Sequence, residues 1–124
     1  MPKMIRITAG KVQVEAELND TTTAKSIVDV LPIKAQAQRW GKEIYFSIPV
    51  TAELENDSRE VLKAGELGYW PPGNAFCIFF GPTPASQGDE IRAASAVNIV
   101  GKITGDWSGL DDVYSGAGVV IEMA

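Results

Sequence analysis

Apolar and polar positions alternate through much of the first fifty residues. Residues 3–8 (KMIRIT) and 11–18 (KVQVEAEL) place Ile5 and Ile7, then Val12, Val14, Ala16 and Leu18, at every second position. A period of two sends successive side chains to opposite faces of a strand. With Ala9-Gly10 between the runs, it predicts a β-hairpin with one buried and one wet face. The period then changes. After the N-cap cluster Asp20-Thr21-Thr22-Thr23, Ala24, Ile27, Val28 and Leu31 fall at i, i+3, i+4 and i+7. That spacing predicts a short amphipathic helix stopped by Pro32.

Alternation resumes over 33–39 (IKAQAQR) and 43–48 (EIYFSI), with Trp40-Gly41-Lys42 at the turn between them. Ile44, Phe46 and Ile48 share one face; Glu43, Tyr45 and Ser47 share the other. The charged stretch 49–59 holds Asn56-Asp57-Ser58 and reads as a loop. A weak strand at 60–62 and a firmer one at 66–70 follow. Pro71-Pro72-Gly73-Asn74 predicts a type II turn, with Gly73 supplying the positive φ. The unbroken apolar run 75–80 predicts a strand covered on both faces. Within it Phe76, Ile78 and Phe80 take the core parity, and Cys77 and Phe79 the opposite one. Further strands are expected at 90–92 and 97–104, the second with Val97, Ile99 and Ile103 on one face. A capping-box-like Ser108-Gly109-Leu110-Asp111 predicts a short helix within 108–114, and Val119 to Met123 a closing strand.

About eight strands, one amphipathic helix and one short helix predict a mostly β fold in a single domain, 1–124. A small closed barrel is the preferred architecture and an open sandwich the alternative. The chain has 124 residues, 45% hydrophobic and 22% charged, which is enough for one packed core and argues against disorder. Twelve glycines and seven prolines fit its many turns.

Charge and rare residues narrow the chemistry. A net charge of -5 with no Lys/Arg cluster argues against nucleic acid as a partner. No stretch approaches the length of a membrane span and the N-terminus lacks an apolar signal region, so the expected location is cytoplasmic. The single Cys77, set in an apolar strand, is expected to be buried and inert. The absence of histidine excludes His-based triads and general bases. No metal or other cofactor is expected. Glu53, Glu55, Asp57 and the Asp111-Asp112 pair lack a metal-loop pattern and read as solvated charges.

Three strings, in a shared order, resemble cyclophilins. VEAELNDTTTAKSIVDVLP is similar to that family's second strand and first helix. GELGYWPPGNAFCIFF resembles its glycine-leucine strand, Pro/Asn loop and apolar strand. AVNIVGKITGDWSGLDDV resembles a late strand with the helix after it. The string YWPPGNAFCIFFGPTP is closest to the compact cyclophilin-like proteins of bacteria and archaea, a family of unknown function. The resemblance implies an apolar groove for a proline-containing peptide. It also implies an arginine that weakens the double-bond character of the X-Pro amide, whose rotation barrier is ~20 kcal/mol. Carried onto this chain, it assigns the arginine to Arg39 and the pocket phenylalanine to Phe79. Tyr45 and Phe46 stand near a Phe-Met pair and Ser47 near a glutamine, although strand parity sends Phe46 into the core. The chain departs from the family at EIRAAS, which supplies neither the pocket tryptophan nor the histidine. It departs again at Tyr69-Trp70, which replaces a smaller pair.

These departures favour a binding module over an enzyme. Tyr45, Tyr69, Trp70 and Phe79 are the expected lining of an aromatic groove for a small ligand or peptide segment. A peptidyl-prolyl isomerase of altered activity using Arg39 is the enzymatic alternative. A contact between copies of the chain through exposed aromatics is the structural one.

Overall fold

The computed structural model describes residues 2–124. Among them lie ten β-strands and one α-helix. Strands β1 (Lys3–Ala9) and β2 (Val12–Leu18) form the predicted hairpin, with Ile5, Ile7, Val14, Ala16 and Leu18 buried on one face. Helix α1 (Thr22–Asp29) starts where the N-cap cluster predicts: the Thr21 hydroxyl accepts from the Ala24 N–H at 3.2 Å. Glu55, from the charged loop, accepts from the Thr23 N–H at 3.0 Å and its hydroxyl at 2.6 Å, satisfying a further free donor of the first turn.

The next strands are β3 (Ile33–Gln36), β4 (Gln38–Arg39), β5 (Glu43–Ser47), β6 (Arg59–Leu62), β7 (Glu66–Trp70), β8 (Ala75–Phe79), β9 (Ile91–Ile103) and β10 (Gly118–Met123). Their hydrogen-bonded order is β3-β10-β1-β2-β9-β7-β8-β5-β4, with β6 joined to β9. The expectation of a closed, roughly eight-stranded barrel is therefore corrected. The sheet has ten strands, and its ladder ends at β3 and β4 without closing. Those two edges adjoin in the chain, separated by Ala37, whose N–H and C=O bond to Ala117 and Gly116. The uniform run 33–39 hides this break because alternation continues across it.

Two apolar clusters occupy the two faces of the sheet. The larger contains Ile44, Phe46, Leu67, Tyr69, Phe76, Ile78 and Phe80 with the apolar faces of β1, β2 and α1. Phe46 and Phe76 stack at 5.5 Å, so parity places Phe46 correctly. The smaller gathers Leu62, Ala75, Cys77, Phe79, Ile91, Ala93 and Val97 on the opposite face, beneath Tyr45, Trp70 and Ile99. It is covered by β6 and the first half of β9.

Strand β9 is one continuous strand of 13 residues where two were expected. Its first part pairs with β6; its later part pairs with β7 and β2. A bulge opposite Leu67 and Gly68 puts Val100 into the larger cluster, so Val97 and Ile103 face different clusters. The turn at 71–74 also differs from expectation. Pro71–Gly73 form a 3₁₀ turn and the positive φ, 47°, belongs to Asn74. Gly73 instead makes room for an indole, since a Cβ there would lie 3.0 Å from the Trp70 ring. The short helix near the C-terminus is a 3₁₀ turn, Ser108–Asp112, with Asp106 accepting from the Ser108 N–H at 2.9 Å. No described helix is long and apolar enough to cross a membrane.

Candidate functional site

A cavity of about 270 Å³ opens over the smaller cluster. Trp40, Tyr45 and Trp70 supply its aromatic walls and Glu43 its only ionisable carboxyl. Ala93, Ala94 and Val97 close it from β9. Ala93 and Val97 are buried there, and Ala94 stands exposed at the rim.

Local structure holds each wall. Trp40 and Glu43 bracket a tight turn, the N–H of each donating to the other's carbonyl at 3.0 and 3.2 Å. Gly41 within it has φ 62°, and a Cβ there would stand 2.9 Å from Thr83 and Pro84, so only glycine fits. Trp70 is fixed from the far side: its indole N–H donates to the Ser95 hydroxyl at 2.7 Å, tying β7 to β9. Beneath lies Phe79, fully buried, under the path of Gly68. A Cβ on Gly68 would come within 2.9 Å of Val97 and 3.2 Å of Phe79.

Glu43 is 6% exposed, and no lysine or arginine among the described residues pairs with it. Burial raises its carboxyl from 4.5 to about 7, offset in part by a hydrogen bond with the Cys77 thiol. Burial, then the charge of Glu43, pushes the Cys77 thiol well up, so it remains protonated. That keeps Cys77 the unreactive group its strand position predicts.

The expected site residues divide between the two faces. Tyr45 and Trp70 line one cavity, and Phe79 supports its floor without lining it. Tyr69 belongs to the larger cluster on the other face, with its hydroxyl donating to the Val50 carbonyl at 2.6 Å. Arg39 lies opposite Ile44 in the β4–β5 register, so it takes the face of Ile44 and not that of Tyr45. Its guanidinium sits over Phe80 at 5.2 Å and makes five hydrogen bonds. They reach the carbonyls of Gly41, Asp111 and Val113 and the Asp111 carboxylate, engaging all of its N–H donors. Arg39 therefore ties the β4–β5 turn to the end of the Ser108–Asp112 turn and the residue after it. Arg39→Ala is expected to lower stability by about 2–3 kcal/mol, because the carbonyls it serves lose charge-assisted bonds. Urea unfolding measures this, and a change below ~0.5 kcal/mol would contradict it.

Trp40, Glu43, Ala93, Ala94 and Val97 were not expected in the site. Glu43 shares its parity with Tyr45, which marks its face, but an acidic residue in an alternating strand reads as solvated. Around it stand Trp70 from β7 and Ala93 and Val97 from β9, brought from far along the chain.

The fold is a mostly β, ten-stranded sheet with one helix, and an aromatic cavity lies over its smaller cluster. The chain belongs to the cyclophilin-like family, whose model matches residues 3–122. It is also similar to a hypothetical protein of Archaeoglobus fulgidus solved in solution, at 44% identity and a TM-score of 0.85. That match covers 99% of this chain and 95% of the other. No curated protein matches the chain.

Proposed function

We propose that this cyclophilin-like protein is a binding module that holds a small organic ligand in the cavity of Trp40, Tyr45 and Trp70 without transforming it. One observation carries this reading: three aromatic side chains from separate elements converge on one preformed apolar space with a single buried carboxyl. Concave, mostly apolar sites with few placed polar groups are where small ligands bind. Isomerisation by Arg39 is disfavoured, because its donors are committed to the protein's own carbonyls on the other face of the sheet.

The indole ¹⁵N–¹H signals supply the test. Trp40 and Trp70 report on the cavity, whereas Trp107 packs against Gly65 and serves as the internal control. In a panel of neutral, anionic and cationic fragments, at least one is expected to shift Trp40 and Trp70 but not Trp107. Trp70→Ala should weaken that binding at least tenfold, the loss of one stacking wall, at about 1.4 kcal/mol or more. Ala94→Trp, which adds bulk at an exposed rim position and removes no packing, should weaken it likewise. A panel that moves no cavity indole more than Trp107 would overturn the reading.

A further inference from the structure

Building on that binding reading, we infer that the ligand is a small protonated amine, its ammonium seated against the Glu43 carboxylate and its apolar part between the indoles of Trp40 and Trp70. Glu43 is the sole charged residue in the cavity wall and nine-tenths buried. Its surroundings are apolar, with the Cys77 thiol within reach of both its carboxyl and the Ala75 carbonyl, the latter at 3.8 Å. A thiol is a weak donor, so an ionised Glu43 is left without an adequate partner inside the protein.

The nearby cations are all employed elsewhere. Lys42, in the same turn, reaches Asp111 at 3.7 Å, and Arg39 binds Asp111 from the opposite face. On the covering strands, Arg59 closes on Glu66 at 2.7 Å and Arg92 on Glu90 at 2.7 Å. None lines the cavity, so it presents negative charge without positive charge. Anionic ligands are thereby excluded, and a neutral one would leave the carboxylate unmatched. An ammonium satisfies both features of the site. It donates a charge-assisted hydrogen bond to the carboxylate, and the faces of Trp and Tyr attract it through their ring quadrupoles. The indole N–H of Trp70 is already given to Ser95, so that ring offers the cavity an apolar surface.

Benzylammonium, benzyl alcohol and benzoate are near-isosteric probes carrying positive, no and negative charge. Followed at the Trp40 and Trp70 indoles, benzylammonium is expected to bind at least tenfold more tightly than benzyl alcohol at pH 8, and benzoate not to bind. Glu43→Gln should bring the affinity for benzylammonium down to that for benzyl alcohol. The parent chain supplies a second readout needing no variant. From pH 6 to 8 benzylammonium affinity should rise several-fold as Glu43 ionises, while benzyl alcohol stays flat. Of the groups that face Glu43, Cys77 on β8 stays protonated. Tyr45 on β5 is present for both probes, so its contribution is common to the two profiles.

Equal affinities for benzylammonium and benzyl alcohol would overturn the inference while leaving a ligand-binding cavity in place. Tighter binding of benzoate would do the same. Absence of any shift with all three probes would also overturn it, with the binding reading then decided separately by the fragment panel.

Discussion

Replacing Gly101 with alanine is expected to cost about 4 kcal/mol or more, enough to leave the chain largely unfolded. Gly101 lies where β9 passes between β2 and β7, opposite Leu18 on one side and Leu67 on the other. A Cβ there would overlap the Glu17 carbonyl oxygen and stand 3.0 Å from its carbon. These are backbone atoms of a paired strand, so no rotamer change can relieve the overlap. β2 would have to separate from β9, breaking the ladder that joins the β1–β2 hairpin to the rest of the sheet. Gly118→Ala is the control. It also lies in a strand, but nothing stands within 4 Å of its Cβ position. That substitution should change stability by less than about 1 kcal/mol, and in the stabilising direction through the unfolded chain. Urea midpoints compare the two, and a Gly101→Ala loss no larger than that of Gly118→Ala would contradict the close approach.

The sequence pattern predicted local structure well where one face of an element is buried by its immediate neighbours. The β1–β2 hairpin and α1 follow from the period of their apolar residues. The two parities of 75–80 follow in the same way and separate Phe76, Ile78 and Phe80 from Cys77 and Phe79. Parity also overrode the family resemblance at Phe46, and the stack of Phe46 on Phe76 shows why. What period alone cannot report is a change of partner along one strand. β9 pairs with β6 through an irregular register between Arg59 and Val61, then with β7 and β2, so its alternation is interrupted and it reads as two strands. The break at Ala37 is hidden for the opposite reason, because alternation persists while the partner changes from β10 to β5.

The site was half legible by the same logic. Tyr45 was expected on the cavity face because it opposes Ile44 and Phe46 in its own strand, whereas Trp70 was named together with Tyr69 as the pair that departs from the family pattern; both Tyr45 and Trp70 line the cavity. Tyr69 and Trp70 are neighbours in a strand, so only one of them can face the cavity; the register gives that place to Trp70. A similar step was available for Arg39. Once Trp40 to Glu43 is taken as a tight turn, Arg39 falls opposite Ile44, on the core-facing side. Glu43 had no comparable signal. Its cavity brings in Trp70 from β7 and Ala93 and Val97 from β9, a tertiary event that neither charge nor period announces.

Glu43→Gln is expected to be more stable than the parent chain at pH 8 and equal to it near pH 4. In the folded protein burial raises the Glu43 carboxyl to about 7 from 4.5. Below 4.5 it is protonated in both folded and unfolded chains, and stability is unaffected. Between 4.5 and 7 the unfolded chain has released the proton while the folded chain still holds it. The unfolded state binds fewer protons, so stability falls as pH rises, by up to ~1.4 kcal/mol per pH unit. Above 7 both states are ionised and the loss is complete, at roughly 3 kcal/mol. Glutamine fills the same space and cannot ionise, so the difference between the two proteins should grow from near zero at pH 4 to that value at pH 8. Glu90 and Asp106, whose hydrogen bonds hold them below the ordinary range, are present in both proteins and cancel in the difference. Urea midpoints across this pH range measure it, and a difference that stays flat would contradict a buried carboxyl in the cavity. A rising difference would mean that the fold is weakened by the charge it keeps there. That burden is what the proposed ammonium ligand would offset, by supplying the buried carboxylate with the partner the fold does not give it.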